Sequence, residues 1–89
     1  MDGSRWKINF TKTASKSLAK IPTKYLSLIE YAIKELEVNP YAGDIKKLKG
    51  GSGFYRKRAG VYRIVYFIVN NMLYIEIVDI DHRKDIYKS

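Results

Sequence analysis

The stretch Phe54-Tyr55-Arg56-Lys57-Arg58-Ala59-Gly60-Val61-Tyr62-Arg63-Ile64-Val65-Tyr66-Phe67-Ile68-Val69-Asn70-Asn71-Met72-Leu73-Tyr74-Ile75-Glu76-Ile77-Val78-Asp79-Ile80 decides the fold. β-Branched and aromatic residues dominate it, and it breaks only at Ala59-Gly60 and Asn70-Asn71. Such runs between short polar or glycine breaks read as three antiparallel strands, here 54–58, 61–69 and 72–80. Two-residue turns at both breaks fix the register by addition. Ile64 then faces Ile77, Tyr66 faces Ile75 and Ile68 faces Leu73, which makes one face apolar. Tyr55 faces Ile64 and Arg56 faces Arg63. The opposite face carries Arg56, Arg58 and Arg63, with Phe54, Val61, Val65, Phe67, Tyr74, Glu76 and Val78 around them.

Upstream, Trp6, Ile8 and Phe10 alternate with polar residues and form a further strand. Thr11 or Thr13 caps a first helix, in which Ala14, Leu18 and Ile21 recur at helical spacing before Pro22. A second helix spans 23–38, with Tyr25, Ile29, Ala32, Ile33 and Leu36 as its apolar stripe, and Asn39-Pro40 stops it. The expected fold is α+β, with two N-terminal helices packed on the apolar face of a small, mostly antiparallel four-stranded sheet and a short C-terminal segment. The 89 residues suffice for one domain and one core, so a single domain over 1–89 is expected.

Charge narrows the function. Seventeen Lys and Arg oppose nine Asp and Glu, for a net charge of +8. Residues 45–75 hold seven bases (Lys46, Lys47, Lys49, Arg56, Lys57, Arg58 and Arg63) and no acid. That block points to a polyanionic partner. Glycines 50, 51 and 53 interrupt it before it alternates as strand, unlike a basic membrane-surface helix. Like charges opposed across two strands destabilise a sheet, and a bound phosphate would relieve the repulsion between Arg56 and Arg63. The competing reading makes Glu76, diagonal to Arg63, a structural ion-pair partner.

The sequence has no cysteine and one histidine, His82. Disulfides, thiolate metal sites, a cysteine nucleophile, histidine-rich metal sites and two-histidine nuclease chemistry are thereby excluded. The longest apolar run, Ile64-Val65-Tyr66-Phe67-Ile68-Val69, is far short of a membrane span, and the first residues lack the apolar segment of a signal peptide. A cytoplasmic protein is expected. The tail Asp81-His82-Arg83-Lys84-Asp85-Ile86-Tyr87 gathers an imidazole that titrates near neutrality, a further cation and a phenol.

These residues, in this order, resemble a known family. Trp6-x-Ile8-x-Phe10, Ala14 and Leu18, Asn39-Pro40, Lys47-Leu48-Lys49-Gly50, Tyr55-Arg56-x-Arg58-x-Gly60-x-Tyr62-Arg63-Ile64-x-Tyr66 and His82-Arg83-x-Asp85-x-Tyr87 together resemble the RelE branch of the RelE/ParE toxin superfamily over nearly the whole chain. The resemblance implies a toxin of a type II toxin–antitoxin system that cuts mRNA in the ribosomal A site and is silenced by a cognate, RelB-like antitoxin. It also implies a free toxin that is monomeric and a toxin–antitoxin complex that is oligomeric.

The chemistry implied by the resemblance uses no metal and no cofactor. The ribose 2′-OH attacks its own phosphorus, leaving a 2′,3′-cyclic phosphate and a free 5′-OH. A base, an acid and phosphate-holding cations are required. Carried over by position, the catalytic set becomes Arg56, Arg58, Arg63, Arg83 and Tyr87. Well-known members carry lysines where this chain has Arg56 and Arg58. A guanidinium is a poor proton acceptor and a good phosphate clamp, so His82 is the expected proton-transfer group, with Tyr87 orienting the nucleotide or sharing that role. Lys57 is expected on the opposite face. Lys12, Lys16, Lys20, Lys46, Lys47 and Lys49 are expected to meet ribosomal RNA. A ParE-like inhibitor of DNA gyrase and a non-catalytic RNA-binding module are the alternatives.

Overall fold

The computed structural model describes residues 5–48 and 53–82. Strand β1 (Lys7–Phe10) is followed by helices α1 (Lys12–Ala19) and α2 (Thr23–Val38), then by strands β2 (Ile45–Lys47), β3 (Phe54–Ala59), β4 (Tyr62–Val69) and β5 (Tyr74–His82). The sheet order is β1-β5-β4-β3-β2. β1 runs parallel to β5, and the other pairs are antiparallel. The sheet has five strands rather than the expected four. The additional strand, β2, is three residues long and pairs with β3.

Local chemistry sets the helix ends. The Thr11 hydroxyl accepts from the Ala14 amide at 3.1 Å and so caps α1. Pro22 stands at the N-cap of α2, where it lacks no hydrogen bond that a helix needs. Asn39 ends α2 in extended conformation, as a residue preceding proline should. No helix among the described residues is long and apolar enough to cross a membrane.

Both helices lie against one sheet face. Ile29, Ala32 and Leu36 of α2, with Ala14 and Ile21, meet Ile64, Tyr66, Ile75, Ile77 and Ile80 in the core. Each fully buried aliphatic side chain there contributes roughly 1.5–3 kcal/mol. The Tyr66 hydroxyl donates to the Pro40 carbonyl at 2.8 Å, the one strong polar demand of that ring. Its burial, with Tyr55 and Tyr41 adding to it, pushes the phenol pKa well above its ordinary value.

Both hairpins depart from the expected register. The first turn is Gly60-Val61, not Ala59-Gly60, so Ala59 pairs with Tyr62 and Tyr55 pairs with Tyr66. Gly60 has φ +64°, the left-handed region that glycine occupies without penalty. The second connection holds a 3₁₀ turn, Asn70–Met72, and Leu73 at φ +50°, so Val69 pairs with Tyr74 and Ile68 with Ile75. Each hairpin slips by two residues, which conserves the faces because side chains alternate with period two.

A bulge in β5 then changes parity. Tyr66 pairs with Ile77, but Val65 pairs with Asp79, leaving Val78 without a Cα partner on β4. The Val78 carbonyl accepts from the Thr11 hydroxyl at 3.0 Å, so one threonine both caps α1 and serves the bulge. Asp79 accepts from Ser17 at 2.9 Å. Beyond the bulge Ile80 pairs with Ile64 in the core, rather than Ile77 as expected.

Candidate nucleic-acid interface

The face opposite the helices carries the cations. Arg58 pairs directly with Arg63, and Arg56 pairs with Val65 two residues along the same face of β3. The sequence expectation that Arg56 opposes Arg63 is corrected by the turn position, but the three guanidinium groups still share one face. Lys46 of β2 pairs with Arg56 and adds a fourth cation to that face, which required knowing that β2 is a strand. Lys57 is on the other side of the sheet, as expected. It is 2% exposed and its ammonium meets Glu35 at 3.1 Å and the Ala42 carbonyl at 3.5 Å.

The acid the sequence suggested shares this face but stands away from Arg63 along the strands. Glu76 pairs with Phe67 and is engaged by Asn9 at 3.1 Å and by the Tyr74 hydroxyl at 2.7 Å. That hydrogen bond raises the Tyr74 phenol pKa above its ordinary value. Instead, Asp44 lies 3.4 Å from the Arg58 Nε, and Asp81 is the cross-strand partner of Arg63, placed there by the bulge. The Arg58 Nε is within ion-pair distance of Asp44 without forming an aligned hydrogen bond. Both side chains are partly exposed, so the pair is screened and contributes little.

Arg56 is different. It is 8% exposed, its Nη1 is buried without a hydrogen-bond partner, and no carboxylate among the described residues lies within ion-pair distance. A buried guanidinium without a counter-charge is costly, and an arriving anion offsets that cost. Phe54 and Phe67 meet edge to face at 5.5 Å on the same face and give it an aromatic margin.

His82 is not brought to this face. It pairs with Tyr62 on the helix side, its ring 5.2 Å from the Tyr62 ring, in a cavity of about 220 Å³ lined also by Ser17, Lys20 and Asp81. Lys12, Lys16 and Lys20 are exposed along α1, and Lys47 is exposed on β2 opposite Tyr55. Lys49, Arg83 and Tyr87 lie outside the described residues. No group of three or more potential metal ligands occurs among the described residues.

Comparison with known proteins agrees with this architecture. Residues 8–87 match the family described as the ParE toxin of type II toxin-antitoxin systems, parDE. Toxin RelG of Mycobacterium tuberculosis is 32% identical over 82 residues, covering 91% of this chain and 94% of that protein. Toxin RelE3 of Methanocaldococcus jannaschii is 35% identical over 85 residues, with 91% and 94% coverage. The RelBE2 toxin-antitoxin complex of M. tuberculosis contains a chain that superposes with a TM-score of 0.78 at 31% identity, over 89% of this chain and 99% of that one. The isolated RelE toxin of E. coli shares the fold at a TM-score of 0.75 and 18% identity, over 93% and 92%. A family match over residues 8–87, with relatives more than 30% identical across almost the whole chain, makes this protein a member of the RelE/ParE family of type II toxin–antitoxin toxins.

Proposed function

We infer that the toxin is a ribosome-dependent endoribonuclease that cuts mRNA in the A site and so halts translation. The observation that carries this reading is the set of guanidinium groups gathered on the sheet face opposite the helices: Arg58 against Arg63, with the buried, anion-seeking Arg56 beside them. Guanidinium groups bind phosphate oxygens in bidentate, charge-assisted fashion and stabilise negative charge as it develops on phosphorus. The ribose 2′-OH is the nucleophile. Its proton leaves as the oxygen attacks phosphorus, and the 5′ oxygen receives a proton as it departs.

Proton transfer is assigned to the C-terminal segment that opens with His82, with Arg83 adding charge and Tyr87 orienting the nucleotide. His82 starts on the Tyr62 side of the sheet and has to leave that ring to serve a substrate on the arginine face. The exposed lysines 12, 16, 20 and 47, together with Lys49, hold ribosomal RNA through sequence-independent phosphate contacts. A RelB-like antitoxin silences the toxin in the cytoplasm. The relatives solved as RelB–RelE complexes support such a partner.

Primer extension on mRNA from cells expressing the chain tests the reading. Codon-register cuts that disappear with Arg63→Ala are expected, since loss of one charge stabiliser lowers rate by about 10² to 10³. The family description also names ParE, which keeps gyrase inhibition as the second reading. A DNA-damage response without mRNA cuts would select it. His82→Ala and His82→Gln separate the roles further, because full cleavage by both removes His82 from the mechanism and leaves the arginine clamp.

A further inference from the structure

We propose that Lys46 and Arg56 form a second phosphate position beside the Arg58–Arg63 pair, so that the sheet face opposite the helices takes single-stranded RNA across two consecutive phosphates. The identity of the polyanion rests on the nuclease reading above; the position itself rests on the sheet register. Lys46 stands directly across from Arg56, on the exposed edge strand β2. The two differ in a useful way. Arg56 is buried to 8% exposure, with its Nη1 lacking a partner, and offers a rigid fork. Lys46 is exposed and offers a compact ammonium on a flexible stem. A phosphate held by the first and closed over by the second satisfies the buried N–H and neutralises the repulsion across the β2–β3 ladder.

The second pair, Arg58 and Arg63, lies two residues further along β3. Two residues of extended strand span roughly 7 Å, a spacing that suits successive phosphates of an extended RNA strand. The same register separates Lys46 from its neighbour. Lys47 pairs with Tyr55 and belongs to the opposite face, so the two lysines have different duties although they are adjacent in sequence.

The test uses the full chain and 2′-O-methyl RNA, which cannot be cleaved because it lacks the attacking hydroxyl. A dinucleotide with one internal phosphate and a trinucleotide with two are titrated over a range of salt. The trinucleotide is expected to bind more tightly, with a salt slope steeper by about 0.7. Lys46→Ala is expected to remove that gain and weaken the trinucleotide roughly tenfold, while Lys24→Ala, at an exposed position on α2, leaves both unchanged. Equal losses in the two variants would mean a diffuse basic patch and overturn the proposal. So would an unchanged slope in Lys46→Ala, or an acidic helical peptide that binds with the same dependence on Lys46. Because the probe is uncleavable, a Lys46-dependent second phosphate with intact ribosome-bound mRNA upholds this position and removes only the nuclease reading.

Discussion

Arg58 and Arg63 are direct cross-strand partners on β3 and β4, two cationic side chains brought to one sheet face by the pairing of their backbones. A like-charge pair opposes folding by up to about 1 kcal/mol, so these side chains are not there to hold the sheet together. Their neighbours fit that view. Asp44 offsets Arg58 from a partly exposed position, and Asp81 stands opposite Arg63 only because β5 bulges.

Arg58→Gln should therefore separate stability from function. It removes a repulsion and an exposed ion pair together, so urea unfolding is expected to shift by less than about 1 kcal/mol in either direction. Growth inhibition on expression should fall sharply, with cleavage reduced by about 10². A variant that loses toxicity because it unfolds would contradict the assignment.

The Lys57–Glu35 pair should respond asymmetrically. Lys57 is almost wholly buried, whereas the Glu35 side chain is about half exposed. Glu35→Ala strands an ammonium in the core and is expected to cost about 2–3 kcal/mol. Lys57→Met leaves a carboxylate that water can reach and an apolar stem that still packs, so its cost should stay below about 1 kcal/mol. Equal costs in chemical denaturation would show that the pair is worth its Coulomb attraction alone.

Tyr66 couples the core to pH. Removing its hydroxyl in Tyr66→Phe leaves the Pro40 carbonyl unpaired, at a cost of about 1–2 kcal/mol. The folded phenol has its pKa raised by burial above the unfolded value of about 10. Stability from the neutral ring is thus complete below pH 10 and declines as pH rises above it, since only the unfolded chain readily ionises there. The alkaline decline should flatten in Tyr66→Phe when melting temperatures are compared across pH 8 to about 11.

Gly60→Ala tests the first hairpin. A Cβ there adopts φ +64° and meets the Leu28 Cδ2 at 2.5 Å. The backbone penalty is about 1–2 kcal/mol, whereas the Leu28 contact is with the end of a flexible, partly exposed side chain that can swing aside. Adding Leu28→Ala to Gly60→Ala should recover less than half of the lost stability. Full recovery would place the cost in the contact rather than in the backbone.

Much of this was legible in the chain itself. Alternation over 54–80 and helical spacing over 23–38 specify a sheet with one greasy face and a helix to cover it, because burial rewards those periods and no others. Both turns were misplaced in the sequence reading, yet Arg56, Arg58 and Arg63 kept a common face, since each error was an even number of residues. Long-range pairing decided the rest. Ile45-Lys46-Lys47 has too little apolar pattern to announce a strand and becomes one only because β3 offers it an edge. The bulge at Val78, served by a threonine 67 positions away, sends Ile80 into the core, Asp81 toward Arg63 and His82 to Tyr62. A single inserted residue reverses every later side chain, and nothing local to that segment reveals whether it is there; only the packing of α1 against β5 does.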